Sequence, residues 1–130
     1  MKKTPATYVD GFVLVVPKKN VRAYKKMAAE GAEVWKRFGA LDYKECKGED
    51  LKIKASGDMP APISFMQLAD AKPTDTVWFS FITFKSKAHR TEVNKKVMEY
   101  FSKKYADKKD MSMSFDMTRM AYGGFSIEVG

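Results

Sequence analysis

The sequence predicts an α+β fold of the ferredoxin-like βαββαβ kind, an antiparallel sheet with two helices on one face. Three observations carry the prediction. Strand-like and helix-like segments follow one another as β-α-β twice, with similar spacing in both halves. Each helix-like segment repeats its apolar positions at three and four residues, so that one face is made for burial. The first, third and fourth strand-like segments are apolar on both faces, so the sheet needs covering on both sides.

Residues 8–16 are β-branched and aromatic, broken only by Asp10 and closed by Pro17, and they read as the first strand. Asn20 is placed to cap a first helix, along which Val21, Tyr24, Met27, Ala28, Gly31, Val34, Trp35 and Phe38 form one stripe. Gly39 ends it. Residues 40–47 make a weaker second strand, with Leu41, Tyr43 and Glu45 pointing one way. Residues 48–75 hold Gly48, Gly57, Pro60, Pro62 and Pro73 and one apolar cluster, Ile63 to Leu68. They read as a long connection with room for a short strand or turn, and connections of that length are often functional.

Residues 76–84 form the clearest strand of the chain. Ser86 caps a second helix whose stripe is His89, Val93, Val97, Tyr100, Phe101 and Tyr105. After a polar, Met-rich link, residues 119–129 make the last strand, where Gly123 and Gly124 suggest a bulge or a close backbone approach. Helices on one face leave the other face wet. A homodimer packed sheet to sheet would cover it, and one is expected.

Composition bounds the function classes. With 130 residues, 45% hydrophobic and 13% aromatic, the chain supports one core, and residues 1–130 read as a single globular domain. No apolar stretch of about 18 residues occurs, which argues against a membrane span, and no signal-type apolar run precedes the first strand. A cytoplasmic location is the expectation. Cys46 has no partner for an intrachain disulfide, and one thiol plus one histidine cannot build a zinc tetrad, so neither metal nor cofactor is expected.

The net charge of +8 raises nucleic acid as a partner. The excess sits in residues 18–37, with seven basic against two acidic side chains, and in residues 85–109, with nine against three. Both segments are the amphipathic helices, where Lys and Arg alternate with the apolar stripe as on a solvated outer face. No basic run is interleaved with exposed aromatics in the manner of a single-strand stacking platform, which weighs against nucleic acid.

Several segments carry a family resemblance: Tyr8-Val9-Asp10-Gly11-Phe12-Val13, Phe38-Gly39-Ala40-Leu41 with Glu45-Cys46, Val77-Trp78-Phe79-Ser80-Phe81-Ile82, Ala88-His89-Arg90 with Val93-Asn94 and Val97-Met98, and Phe115-Asp116 with Arg119-Met120-Ala121-Tyr122-Gly123-Gly124-Phe125. Together they resemble the YbaA-like bacterial family of unknown function over nearly the whole chain. The resemblance implies a dimeric α+β barrel and no established activity. Within the wider superfamily of that barrel are cofactor-free monooxygenases, haem-degrading enzymes and muconolactone-isomerase-like enzymes, an analogy of fold alone. The chain departs from the family pattern at Ser114, where a proline usually precedes the Phe-Asp pair, and at Thr91, where an acidic residue usually follows the arginine.

Asp10 is the residue whose position demands explanation, because a charge within a buried strand costs several kcal/mol unless it is paired. Arg90, in the first turn of the second helix, and Arg119, opening the last strand, are the available cations. As a site, Asp10, Asp116, Arg90 and Arg119 would line a pocket and orient an anionic or carbonyl substrate through guanidinium contacts. As structure, they would be an ion-pair network fixing the strands or the dimer. His89 is the only imidazole and, with Asp10, the candidate for acid–base catalysis, although a lone histidine on an apolar stripe is more often a core residue. Ser80 and Ser126 lack a nucleophile-elbow sequence, so a Ser-His-Asp triad carries no weight.

Met111, Met113, Met117 and Met120 are spaced as a thioether set able to hold Cu(I), but gap-filling is their ordinary use. Trp35, Phe38, Phe79, Tyr122 and Trp78 would wall an aromatic pocket or simply fill the core. Two functions of different class follow. One is a small-molecule site between sheet and helices, with or without catalysis, using Tyr8, Asp10, His89, Arg90, Asp116, Arg119 and Tyr122 within walls that include Trp35 and Phe79. It predicts a cavity. The other is a dimeric binding or scaffold protein whose basic helices meet an acidic partner or nucleic acid. It predicts a filled interior.

Overall fold

The computed structural model describes residues 5–107 and 113–130. Strand β1 spans Tyr8–Pro17 and leads through a 3-10 turn at Lys18–Asn20 into helix α1, Val21–Arg37. Strand β2 is Asp42–Lys47, helix α2 is Phe65–Leu68, strand β3 is Asp75–Phe84, helix α3 is Lys87–Lys104, and strand β4 is Ala121–Ser126. The strands lie in the order β2-β3-β1-β4 and every neighbouring pair is antiparallel. This is the expected α+β plan: each long helix connects two strands that run parallel, with a third strand hydrogen-bonded between them.

Ends of elements follow local chemistry. Asn20 stands at the N-cap of α1 but caps nothing, because its side-chain amide donates to the Ser114 carbonyl at 3.2 Å and ties the link before β4 to this turn. Ser86 does cap α3, accepting from the His89 N–H at 3.0 Å. After α1 the chain turns at Gly39, whose φ of +120° disfavours any side chain. The Ile63 to Leu68 cluster is neither strand nor plain turn. It holds α2, started by a reciprocal capping box between Ser64 and Gln67.

Because side chains alternate along a strand, one sheet face carries Asp10, Phe12, Leu14, Ser80 and Ile82 beneath α1 and α3, and the other carries Val13, Val15, Val77, Phe79 and Phe125. Under the helices, Val34, Ile82, Phe84, Val93 and Val97 form one buried cluster and Leu14, Val16, Tyr24, Ala28 and Trp78 another. Each fully buried aliphatic side chain contributes roughly 1.5–3 kcal/mol. The opposite face is covered at one end only, where Leu51, Met66 and Ala69 of the 48–75 connection close over Val15 and Val77. Past that cover, Phe79 is 46% and Phe125 58% exposed.

The last strand is shorter than residues 119–129 and contains no bulge, since Asp10 to Val13 pair in unbroken register with Gly124 to Ala121. The close approach is real. At Gly124 a Cβ would collide with the Tyr8 hydroxyl. Arg119 belongs to a 3-10 turn at Met117–Arg119 that precedes the strand.

Candidate functional site

Between the sheet and the two long helices lies a cavity of about 1230 Å³, larger than the usual ~300–1,000 Å³ of a small-molecule site. Its floor is the helix-side face of β1, β2 and β3, its sides are α1 and α3, and Met113, Ser114, Phe115 and Met120 close one end. The stripes of both helices present large rings that meet each other as well as the sheet. Trp35 packs against Phe101 at 6.1 Å and against Tyr43 at 5.9 Å, so α1 and α3 join above the floor. Glu30 of α1 adds a bridge to α3, accepting from the Tyr105 hydroxyl at 2.5 Å and pairing with Lys104.

A single carboxylate organises the floor. Glu45 Oε1 accepts from the Tyr24 hydroxyl at 2.7 Å and from the Ser80 hydroxyl, while Oε2 accepts from the Tyr43 hydroxyl at 2.6 Å. Tyr24 comes from α1, Tyr43 and Glu45 from alternate positions of β2, and Ser80 from β3, where it lies directly opposite Glu45. Burial, reinforced by the adjacent Glu45, pushes the Tyr24 and Tyr43 hydroxyls well above the ordinary phenol range. Their protons stay on oxygen at any ordinary pH, and both tyrosines donate them to the carboxylate.

Asp10 lies outside this cavity, fully buried under α3. Arg90 faces its Oδ1 at 3.6 Å, too far for a hydrogen bond, and donates instead to the Tyr122 hydroxyl at 2.9 Å and the Tyr8 hydroxyl at 3.3 Å. Asn94 approaches Asp10 Oδ2 at 3.4 Å and accepts from the Trp35 indole at 3.0 Å, so the cluster backs onto the cavity through Trp35 and through Phe12, on which Tyr122 stacks at 4.9 Å. Burial raises the Asp10 pKa above the usual carboxylate range, opposed by Asn94, Arg90 and Tyr122. The structure thus brings together Tyr8, Asp10, Arg90 and Tyr122, as the sequence suggested.

It does not bring Arg119 or Asp116 to them. Arg119 donates to Asp116 Oδ2 at 2.8 Å, Asp75 Oδ2 at 2.9 Å and the Asp70 carbonyl at 2.7 Å, stapling the link before β4 to the 48–75 connection. Asp75 pairs with Pro17 and Asp10 with Ile82, so the two guanidinium clusters sit seven residues apart along β1, roughly 23 Å at ~3.3 Å per residue. The backbone N–H of Lys72, then Arg119, lower the Asp75 pKa. The Thr118 hydroxyl, then Arg119, lower that of Asp116 to about 2.

His89 stands at the start of α3, where its Nδ1 accepts from the Lys85 N–H at 3.0 Å and its ring packs edge-on against Phe84. It meets neither Asp10 nor the cavity. Trp35 lines the cavity, whereas Phe79 points to the opposite face of the sheet. Met113 and Met120 are cavity wall, Met117 is exposed, and Met111 lies outside the described residues. Among the described residues no group of three His, Cys, Asp or Glu side chains is arranged to hold a metal ion, and no helix is long and apolar enough to cross a membrane. The sequence reading missed Glu45 with Tyr24 and Tyr43 as a site. Its one usable signal was the acidic residue at an inward position of β2, two residues after an inward tyrosine.

Comparison with known proteins agrees on a family without an assigned role. Residues 7–117 match the family model DUF1428, described as a protein of unknown function. The chain is 39% identical over 119 residues to the uncharacterized protein YbaA of Escherichia coli K12, covering 91% of this chain and 93% of that protein. The uncharacterized protein YbaA of Shigella flexneri is similar to the same extent.

Proposed function

Since the chain belongs to the DUF1428 family of proteins of unknown function, we propose its role from its own cavity: it binds a small, largely apolar molecule between the sheet and helices α1 and α3. The observation that carries this reading is the Glu45 carboxylate with its three hydroxyl donors at the floor of an aromatic cavity. Concave apolar walls bury a ligand and a few convergent polar groups orient it, which is the usual form of such a site. The four thioethers of the wall, Met27, Met98, Met113 and Met120, adapt to ligand shape. A scaffold acting through basic helices has no use for such a cavity. Its charges are also partly engaged at home, Arg37 with Glu33, Lys96 with Glu92 and Lys104 with Glu30.

The same proposal includes a homodimer. Phe79 and Phe125 stand exposed on the uncovered part of the sheet, and a second copy presenting the same face would bury both.

A neutral polarity-sensitive dye such as phenylnaphthylamine tests the cavity. Saturable binding of one dye per chain, weakened about tenfold or more by Ala23→Trp at the rim, is the expected result. Binding unchanged by Ala23→Trp but lost in Phe125→Lys would place the dye on the outer sheet face and overturn the reading.

A further inference from the structure

The hydrogen-bond polarity of the lining narrows the ligand class. Tyr24, Tyr43 and Ser80 all spend their hydroxyl protons on Glu45, Tyr105 spends its own on Glu30, and the Trp35 indole N–H points away to Asn94. What the floor offers an incoming molecule is therefore lone pairs, those of the carboxylate and of the three oxygens donating to it, while the donors left over, the Ser114 hydroxyl and Lys26, stand at the end and the rim. A carboxylate has room for about four donors and here receives three, so one more can be accepted. Burial keeps both phenols protonated, and each hydroxyl spends its one proton on Glu45.

Charge agrees with polarity. The charged side chains of the lining are Lys26, Glu30 and Glu45, a net of −1 in a chain whose total is +8. Lys26 and Glu30 stand on α1 at the rim, where Glu30 already pairs with Lys104, and Glu45 is the one charged side chain of the floor. The rings of Tyr24, Tyr43 and Trp35 surround that position, and aromatic faces attract cations more strongly where water is excluded. The guanidinium groups that would have recognised an anion, Arg90 and Arg119, are both engaged elsewhere.

We infer that the ligand of this cavity is a protonated amine on an apolar or aromatic body, its ammonium group held by Glu45 and the neighbouring hydroxyl oxygens. The inference rests on the cavity reading above and names the class of molecule that the same site takes.

Three probes of one shape and different charge decide it: naphthylmethylamine, naphthylmethanol and naphthylacetate, titrated at pH 7 by calorimetry. The amine is expected to bind about tenfold or more tightly than the carboxylate, with the alcohol between them. Glu45→Gln should remove that preference while leaving the alcohol within about threefold of its original affinity. The wild-type ranking needs no variant. If Glu45→Gln does not fold, Glu45→Asp, which keeps the charge but withdraws it by one methylene, should weaken the amine and spare the alcohol. A carboxylate that binds as well as the amine overturns the inference while the cavity reading stands, because the probes still bind. A preference for the amine that survives Glu45→Gln overturns the assignment to Glu45. Failure of all three probes together with the neutral dye removes both.

Discussion

Tyr43 and Glu45 stand two residues apart on β2, on the same face, and the Tyr43 hydroxyl donates to Glu45 Oε2 at 2.6 Å. Alternation along the strand makes the pair local, and the buried hydroxyl of Tyr24 makes it tertiary, since Tyr24 arrives from α1.

Removing the Tyr24 hydroxyl should be felt in stability before it is felt in binding. Tyr24→Phe keeps the ring against Trp78 and Phe115, at 4.9 Å and 5.9 Å, and loses one bond to a charged acceptor. A loss of about 1.5–3 kcal/mol is expected by urea denaturation. An unchanged midpoint would mean that the Glu45 cluster does not hold α1 to the sheet.

Asp10 should make stability fall as pH rises. Its folded pKa lies above its unfolded value of about 4, so its favourable contribution is complete in acid and is lost as pH climbs through the folded value. Asp10→Asn cannot titrate. The melting temperature of Asp10→Asn minus that of the wild type should therefore increase from pH 4 to pH 7, and a difference that shrinks over that range would contradict the burial assigned to Asp10.

The Arg119 staple has the opposite sign. Asp75 and Asp116 are lowered, so their contribution is complete above about pH 4 and is lost as pH falls, through about 2 for Asp116. Arg119→Ala should lower the melting temperature at pH 6, less so near pH 2, and leave dye binding in the cavity unchanged. Abolished dye binding in a folded Arg119→Ala protein would return Arg119 to the site.

The dimer is checked by sedimentation. The wild type should sediment as two chains, and Phe125→Glu should shift it toward one without affecting the fold seen by circular dichroism, since Phe125 is on the surface of a single chain. A wild type that sediments as one chain would leave Phe79 and Phe125 to some other partner.

Much of the fold was legible because periodicity is a local property. The stripe through Tyr24, Ala28, Gly31 and Val34 states which side of α1 is buried, and the structure buries that side. The cap at Ser86 is likewise written in adjacent residues. The helix at Phe65–Leu68 was hidden because four residues are too few to show a period, and only the Ser64 and Gln67 pair marks its start. Asp10 with Arg90 was readable because a buried charge demands a partner, and the Arg119 staple was misplaced because its partner Asp75 ends the long 48–75 connection, which has no periodicity to fix where it lies.

By itself the sequence determined the elements, their order and the residues with something to explain. The tertiary structure decided which of those residues meet. Asp10 and Asp116 were candidates for one group with Arg90 and Arg119, yet Asp10 lies opposite Ile82 and Asp116 beside Val15, five residues further along β1. Glu45 looks like an ordinary strand residue until α1 lays Tyr24 over it and β3 sets Ser80 opposite. Hydrogen bonds among side chains from three elements depend on register and helix placement, and neither is encoded in any one segment.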